Sequence, residues 1–354
     1  MSKFRDSRFS NLKEYVPGEQ PQDKSYIKLN TNESPYPPSP SVLEAVNEVE
    51  VEKLNLYCDP DCHSLKEKLA EIYGVEKKNI FVSNGSDDIL NFAFMLYGGK
   101  NGAAFPDITY GFYNVFCKLH GIEYDEIPLC EDFSINPADY IGNGKFNVIA
   151  NPNAPTGMIL SESEIEKIIA SNPKNVVVID EAYIDFGGKS CYKLIDKYDN
   201  LLVCRTFSKS RSMAGARLGF CIANEEIIKD LELIKNSTNP YNINRLTQVA
   251  GVAALQQNDY YIDNCQRIVE TREYTCAELK KLGFEILPSF ANFVFAKHNS
   301  FGGEELYLKL KSNGFLVRHF TNPRICEFNR ITIGSREEME SLVKELKCII
   351  GGTK

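Results

Sequence analysis

Lys209 lies in the run Arg205-Thr-Phe-Ser-Lys-Ser-Arg-Ser-Met-Ala-Gly-Ala-Arg217, and a lysine amine can form a Schiff base with an aldehyde. A cofactor that brings such an aldehyde on a phosphorylated ring needs an anion site close by. Thr206 and Ser208 offer hydroxyls just before the lysine, and Arg217 offers a guanidinium after it. The donor fork of an arginine suits a phosphate dianion better than the point charge of a second lysine. In isolation Lys209 reads as a solvated surface lysine. Its flanks change that reading. Leu201-Leu-Val-Cys204 and Leu218-Gly-Phe-Cys-Ile222 are apolar runs of buried-strand type, so Lys209 sits in a Ser/Gly-rich connection between core strands, where functional loops lie.

The elements that must position it alternate. Helical spacing over 63–73 precedes an apolar strand at 80–82, and helix 87–97 precedes strand 103–105. Helix 113–119 precedes strand 146–150. Ser161-Glu-Ser-Glu164 is a capping box ahead of the strand 176–179. Such alternation predicts an α/β fold, a mostly parallel sheet sandwiched by helices. From Pro240 the character changes to a long helical stretch, 242–282, broken near 257–259. Short strands at 293–296, 315–318 and 330–333 follow, with helices at 303–312 and 336–348. The reading is a proline-rich N-terminal arm (1–40), a large domain (41–245) and a small α+β domain (246–354) that the arm completes.

In open parallel sheets ligands gather at the carboxyl ends of strands. Val176-Val-Val-Ile179 ends in Asp180-Glu-Ala-Tyr183. A carboxylate at that depth needs a cationic partner such as a protonated pyridine nitrogen, or it is a helix-capping Asp beside a core Tyr. Ile80-Phe-Val82 ends in Ser83-Asn-Gly-Ser-Asp-Asp88, where Gly85 lets backbone N–H groups approach an anion at a helix start, or the segment is a plain N-cap. Phe146–Ala150 ends in the stiff turn Asn151-Pro-Asn-Ala-Pro-Thr-Gly157, with Pro155 a candidate for a cis bond. Tyr110 has a ring that can lie on a flat cofactor or fill the core.

Composition narrows the function classes. The net charge of −8 speaks against a nucleic-acid partner while allowing local basic pockets. No apolar run approaches the ~18 residues of a membrane span, and the amino terminus lacks the apolar core of a secretory signal. The 11 cysteines are scattered as reduced thiols would be in a cytoplasmic protein. Cys58-Asp-Pro-Asp-Cys62-His63 is followed by no second ligand pair at zinc spacing, so no metal is expected. Neither a G-x-G-x-x-G fingerprint nor a Walker A pattern occurs, which weakens nicotinamide and nucleoside-triphosphate readings.

In this order the segments resemble the fold type I pyridoxal phosphate (PLP) aminotransferases, most closely the histidinol-phosphate aminotransferases. The motifs that carry it are Leu29-Asn-Thr-Asn-Glu33 with its following prolines, Ser83–Asp88, Pro-Asn-x-Pro-Thr-Gly, Asp180–Tyr183, Thr206-x-Ser-Lys209 with Arg217, and Arg330-Ile-Thr-Ile-Gly334. The resemblance runs from about residue 29 to about 340. It implies that Lys209 is the Schiff-base lysine and proton carrier, Asp180 the partner of the pyridine nitrogen and Tyr183 a donor to the ring oxygen. Tyr110 would stack on the ring, and Gly85, Ser86, Asp87, Thr206, Ser208 and Arg217 would surround the phosphate. Tyr57 matches a tyrosine that reaches the phosphate from the other subunit, which implies a homodimer with shared active sites. Arg330 matches a clamp for the α-carboxylate, Arg318 an arginine that meets the substrate phosphate, and Tyr15 and Asn32 substrate contacts. Histidinol phosphate has no carboxylate, so the two arginines would serve glutamate and the phosphate ester in turn.

One position departs from the family. Ala154 stands where an asparagine usually bonds the ring oxygen, so either Asn153 takes over or Tyr183 bonds that oxygen alone, a difference of ~1 kcal/mol. Alternatives within PLP chemistry are an aromatic amino acid aminotransferase and a threonine-phosphate decarboxylase of corrinoid synthesis. Outside catalysis the alternative is a PLP-binding regulatory protein, against which the intact lysine and arginine set speaks.

Overall fold

A computed structural model describes residues 4–9 and 12–351. Seven strands form the main sheet, in the spatial order Ile80–Ser83, Gly219–Ala223, Leu201–Thr206, Val177–Asp180, Phe146–Ala150, Ala103–Pro106 and Tyr124–Ile127. Gly219–Ala223 is antiparallel to both neighbours, and every other pairing is parallel. The register aligns Val148, Val178 and Leu202 on one face and Ile149, Ile179 and Val203 on the other, each row in its own apolar cluster. With both faces covered, these strands read as unbroken apolar runs. Tyr124–Ile127 is an edge strand with Asp125 and Glu126 exposed, so no apolar run announced it.

The C-terminal part forms a four-stranded antiparallel sheet in the order Arg318–His319, Asn329–Thr332, Phe293–His298, Phe284–Ile286. Helices Gly303–Ser312 and Arg336–Gly351 bury Leu306, Leu310, Met339 and Leu342 in the same cluster as Val294 and Ile331. Leu29 joins that cluster, and Ile27–Lys28 pairs in parallel with Phe315–Leu316. The single strand expected over 315–318 is thus two, with Val317 passing the chain from one pairing to another.

Helix Arg245–Gln256 follows the domain boundary expected at residue 245. Ala250, Ala253, Ala254 and Leu255 of helix Arg245–Gln256 pack with Ile179 and Val203, in the cluster of the main sheet. Small residues permit this close approach: a Cβ on Gly251 would lie 2.5 Å from Leu218 Cδ2. Cys265, Ile268 and Leu279 of the next helix, Asn258–Lys281, face the C-terminal core instead.

Candidate active site

Neighbouring parallel strands end at Ala150, Asp180 and Thr206, and these ends open into one cavity. Ser86, Asp87, Tyr110, Ala154, Tyr183, Ser208, Lys209 and Arg217 complete its walls. Lys209 donates from Nζ to the carbonyl of Thr31 at 3.0 Å and lies 5.8 Å from the centre of the Tyr183 ring. Burial, reinforced by the nearby Arg330 charge, lowers its pKa to about 8. At pH 8 roughly half of such amines are neutral, against under 1% of ordinary lysines.

Asp180, 5% exposed, is moved the other way. Burial raises its pKa to about 6, although the Tyr113 hydroxyl donates to Oδ2 at 2.8 Å and the Ala182 N–H to Oδ1 at 3.2 Å. The sequence reading missed Tyr113. Its signal is the Tyr110-x-x-Tyr113 spacing: Tyr110 precedes helix Phe112–His120, Tyr113 lies in its first turn, and the two ring centres are 5.7 Å apart. A carboxyl penalised by desolvation is one that a cation would restore to its charged form.

The opposite end of the cavity suits an anion. Helix Ser86–Tyr97 starts there, with Gly85 at φ 86° as its N-cap. A Cβ on Gly219 would lie 2.4 Å from the Ser86 nitrogen, so no side chain fits there, and Gly85, at φ 86°, holds a backbone conformation that other residues rarely adopt. Arg217 reaches Asp87 Oδ2 at 2.8 Å and Ser208 Oγ at 3.4 Å, while the Thr206 hydroxyl accepts from the Ser208 N–H at 3.0 Å. Tyr110 donates to the other Asp87 oxygen at 2.7 Å.

Asn153 lies elsewhere, and Tyr57, expected to serve a partner's site, is outside this cavity. Asn153 faces away from the cavity: its amide donates to the Ile108 carbonyl and to Thr156 Oγ1, and its oxygen accepts from Thr109 Oγ1. Ala154 lines the cavity instead, so this part of the wall presents a methyl group beside the Tyr183 ring. Tyr57 is 79% exposed and stacks on Tyr241 at 4.4 Å, outside the walls of this chain's own cavity.

A second cavity of ≈ 490 Å³ adjoins the first through Lys209, Tyr183, Tyr110 and Ala154. Its walls include Tyr15, Asn32, Arg318 and Arg330. The two arginines are direct partners across the antiparallel strand pair. Like charges so placed repel unless an anion lies between them. Arg330 Nη2 donates to the Asn30 carbonyl at 2.9 Å, its buried Nε has no partner, and burial lowers its pKa. Arg318 holds the carbonyls of Pro17 and Val16 at 3.1 and 3.2 Å. Among the described residues neither arginine has a carboxylate within ion-pair distance. Tyr15 stacks on Phe112 at 4.2 Å and closes one side. The side chain of Asn32, expected to meet substrate, bonds Tyr183 and Thr332 instead.

Together these residues fit a phosphorylated pyridine aldehyde: a glycine cradle and guanidinium at one end, a desolvated carboxylate in the wall, an amine held near neutrality, and a doubly cationic annex for a second molecule.

A model of the family described as aminotransferase class I and II matches residues 24–346. Histidinol-phosphate aminotransferase of Brachyspira hyodysenteriae is 49% identical over 352 residues, 99% of each chain. The Clostridium acetobutylicum protein of the same name is 46% identical over 351 residues, 99% of this chain and 100% of that one. The fold matches a crystal structure of histidinol-phosphate aminotransferase from Sinorhizobium meliloti in complex with pyridoxal-5'-phosphate, with a TM-score of 0.88, 24% identity and full coverage of both chains.

Proposed function

The chain belongs to the class I and II aminotransferase family, and from that premise we propose that it is a pyridoxal 5'-phosphate-dependent enzyme moving the amino group of histidinol phosphate to 2-oxoglutarate, a step of histidine biosynthesis. The observation that carries the substrate reading is the Arg318–Arg330 pair, two facing cations without a carboxylate beside the Lys209 amine. Each half-reaction then brings one anionic substrate: a dicarboxylate, held bidentately by Arg330, or a phosphate ester, met by Arg318.

When bound, the cofactor supplies an aldehyde for the Lys209 amine and a ring that draws electrons from a substrate C–H bond. Lys209, whose amine is partly neutral near pH 8 in the cofactor-free chain, would serve as the base and proton carrier for the carbon that bears the substrate's amino group. Asp180 holds a proton on the ring nitrogen, an electrostatic stabilisation set before the reaction starts. Tyr183 donates to the ring oxygen, and Arg217, Ser208, Thr206 and the N–H groups after Gly85 anchor the phosphate.

The test is one panel followed through the cofactor spectrum: histidinol phosphate, aromatic amino acids and threonine phosphate, each with 2-oxoglutarate. Histidinol phosphate should react, and Lys209→Ala should lower turnover by about 10⁴-fold or more. Reaction with aromatic amino acids alone would sink the substrate reading. Carbon dioxide release from threonine phosphate without 2-oxoglutarate would make the protein a decarboxylase.

The working unit of this reading is a homodimer in the cytoplasm. Leu43, Val49, Val51, Leu54, Leu56 and Tyr57 are all about half exposed or more within one short stretch, an apolar surface that a second copy would cover. All 11 cysteines are free thiols, and no described helix is long and apolar enough to cross a membrane. If Tyr57 serves the partner's phosphate site, mixing Tyr57→Ala with Lys209→Ala chains restores activity that each lacks alone.

A further inference from the structure

Tyr183 is the one hydroxyl left beside the ring-oxygen edge of the cavity, since Ala154 contributes only a methyl group and Asn153 turns away. The direction of its O–H proton therefore matters, and the hydrogen bonds behind it fix that direction. The backbone N–H of Asn32 donates to Thr332 Oγ1 at 3.0 Å, so the threonine's own proton must go elsewhere. It goes to Asn32 Oδ1, 2.9 Å away. That turns the amide NH2 of Asn32 toward Tyr183 Oη, at 2.9 Å. A hydroxyl that accepts from an N–H keeps its proton for another acceptor.

Asn32 is held firmly in this role. It is 1% exposed, its backbone is left-handed at φ 56°, a region asparagine tolerates better than most residues, and Asn292 Nδ2 donates to its carbonyl at 3.0 Å. Thr332 sits on Asn329–Thr332, the strand that carries Arg330, so the chain of bonds runs from the substrate clamp to the cofactor wall.

We propose that Asn32 is a positioning residue that aims the Tyr183 proton at the ring oxygen of the cofactor and so substitutes, from behind, for the side-chain donor that Ala154 does not provide. This rests on the reading of the cavity as the site of pyridoxal phosphate. A donor on the ring oxygen stabilises its negative charge and weakens its hold on the proton shared with the Lys209 nitrogen. The other charged groups facing Tyr183 are Lys209, Arg330, Asp180 and Asp87, and none changes in the variants below.

The measurement is the pH midpoint of the absorbance change of the cofactor-loaded resting protein. Tyr183→Phe and Asn32→Gly, which keeps the left-handed backbone at little cost, should each raise the midpoint by roughly 0.5–1 pH unit, the scale of one hydrogen bond. The double variant should go no further than the larger single effect. Asn32→Asp should raise it at least as far as Asn32→Gly, because a carboxylate would draw the Tyr183 proton away from the ring. An unchanged midpoint in Asn32→Gly beside a raised one in Tyr183→Phe overturns the proposal. Failure of borohydride to fix the cofactor onto Lys209 in the unaltered protein overturns the aminotransferase reading itself, and this inference with it.

Discussion

Arg205 is a buried guanidinium and Arg330 a half-buried one that lines a cavity, and their surroundings are opposite in kind. Arg205, 4% exposed, pairs with Asp185 and lies 3.5 Å from Glu181, with its plane over the rings of Tyr73 and Phe220. Those carboxylates are themselves satisfied: Ser210 donates to Asp185 at 2.5 Å, and Ser190 and the Cys191 N–H donate to Glu181. Burial opposes the charge on Arg205, but Asp185, Tyr73 and Glu181 outweigh it and raise its pKa. At Arg330 burial prevails and the pKa falls, with one carbonyl as hydrogen-bond partner and Nε unmatched. A matched buried charge is framework: Ser210 follows Lys209 and Glu181 follows Asp180, so the Arg205 network holds both reactive residues from behind. An unmatched one beside a cavity is open to the charge of a ligand.

The contrast is broken or kept by removing each charge. Arg205→Gln leaves the buried Glu181 without its cation and takes the ion partner from the more open Asp185, and should cost about 3–5 kcal/mol of stability, read by urea unfolding at pH 7.5. Arg330→Gln removes a charge that the fold does not match. Its stability should stay within ~1 kcal/mol of the parent, while kcat/KM for glutamate falls by about 10²-fold. Equal stability losses in the two variants would erase the distinction between framework and site.

The framework side was the more legible in sequence. Apolar runs locate buried strands, and the polar residue that ends each run is then placed at the carboxyl edge of the sheet. That logic was enough to bring Asp180, Thr206 and Lys209 to one cavity. It fails where position depends on pairing or on a turn. Arg318 and Arg330 become cross-strand partners only because the expected strand 315–318 is broken at Val317, and no local pattern encodes that register. Asn153 and Ala154 are adjacent, and which of them faces the cavity is decided by the fold of the Pro-Asn-Ala-Pro turn rather than by composition. Tyr113 enters the sequence reading only as the start of helix 113–119, and its ring is also core, at 0% exposure.

Asp180 stands between the two kinds of charge, because its hydrogen bonds are framework but its counter-charge must come with a ligand. Its pKa in the folded, cofactor-free chain is raised to about 6 from an ordinary 3.8. A carboxyl raised on folding binds its proton more tightly in the native state, so ionising it costs stability. That cost is small near pH 4, grows as pH rises toward about 6, and is constant above it. Asp180→Asn should therefore stabilise the cofactor-free protein by about 2 kcal/mol at pH 7.5 and by much less at pH 4, while lowering turnover by about 10²–10³-fold. Urea midpoints at the two pH values decide it: a gain that does not depend on pH would mean that the Asp180 charge is not what the fold tolerates there.

The smallest expected effect tests whether Tyr113 belongs to that balance. Its hydroxyl is the only side-chain donor to Asp180 among the described residues, and burial together with the Asp180 charge raises its own pKa, so it stays a neutral donor across the working range. Tyr113→Phe keeps the ring in its packing against Phe94 and Phe105 and removes one hydrogen bond to the carboxylate. The loss should be about 1 kcal/mol, seen as a several-fold lower kcat with the KM for glutamate unchanged. Asp180 would then hold its proton to still higher pH, and the pH window over which the gain from Asp180→Asn grows, which still opens near pH 4, should extend further upward to a larger plateau when that substitution is made in the Tyr113→Phe background. A packing role alone would lower stability equally at all pH values and leave that window in place.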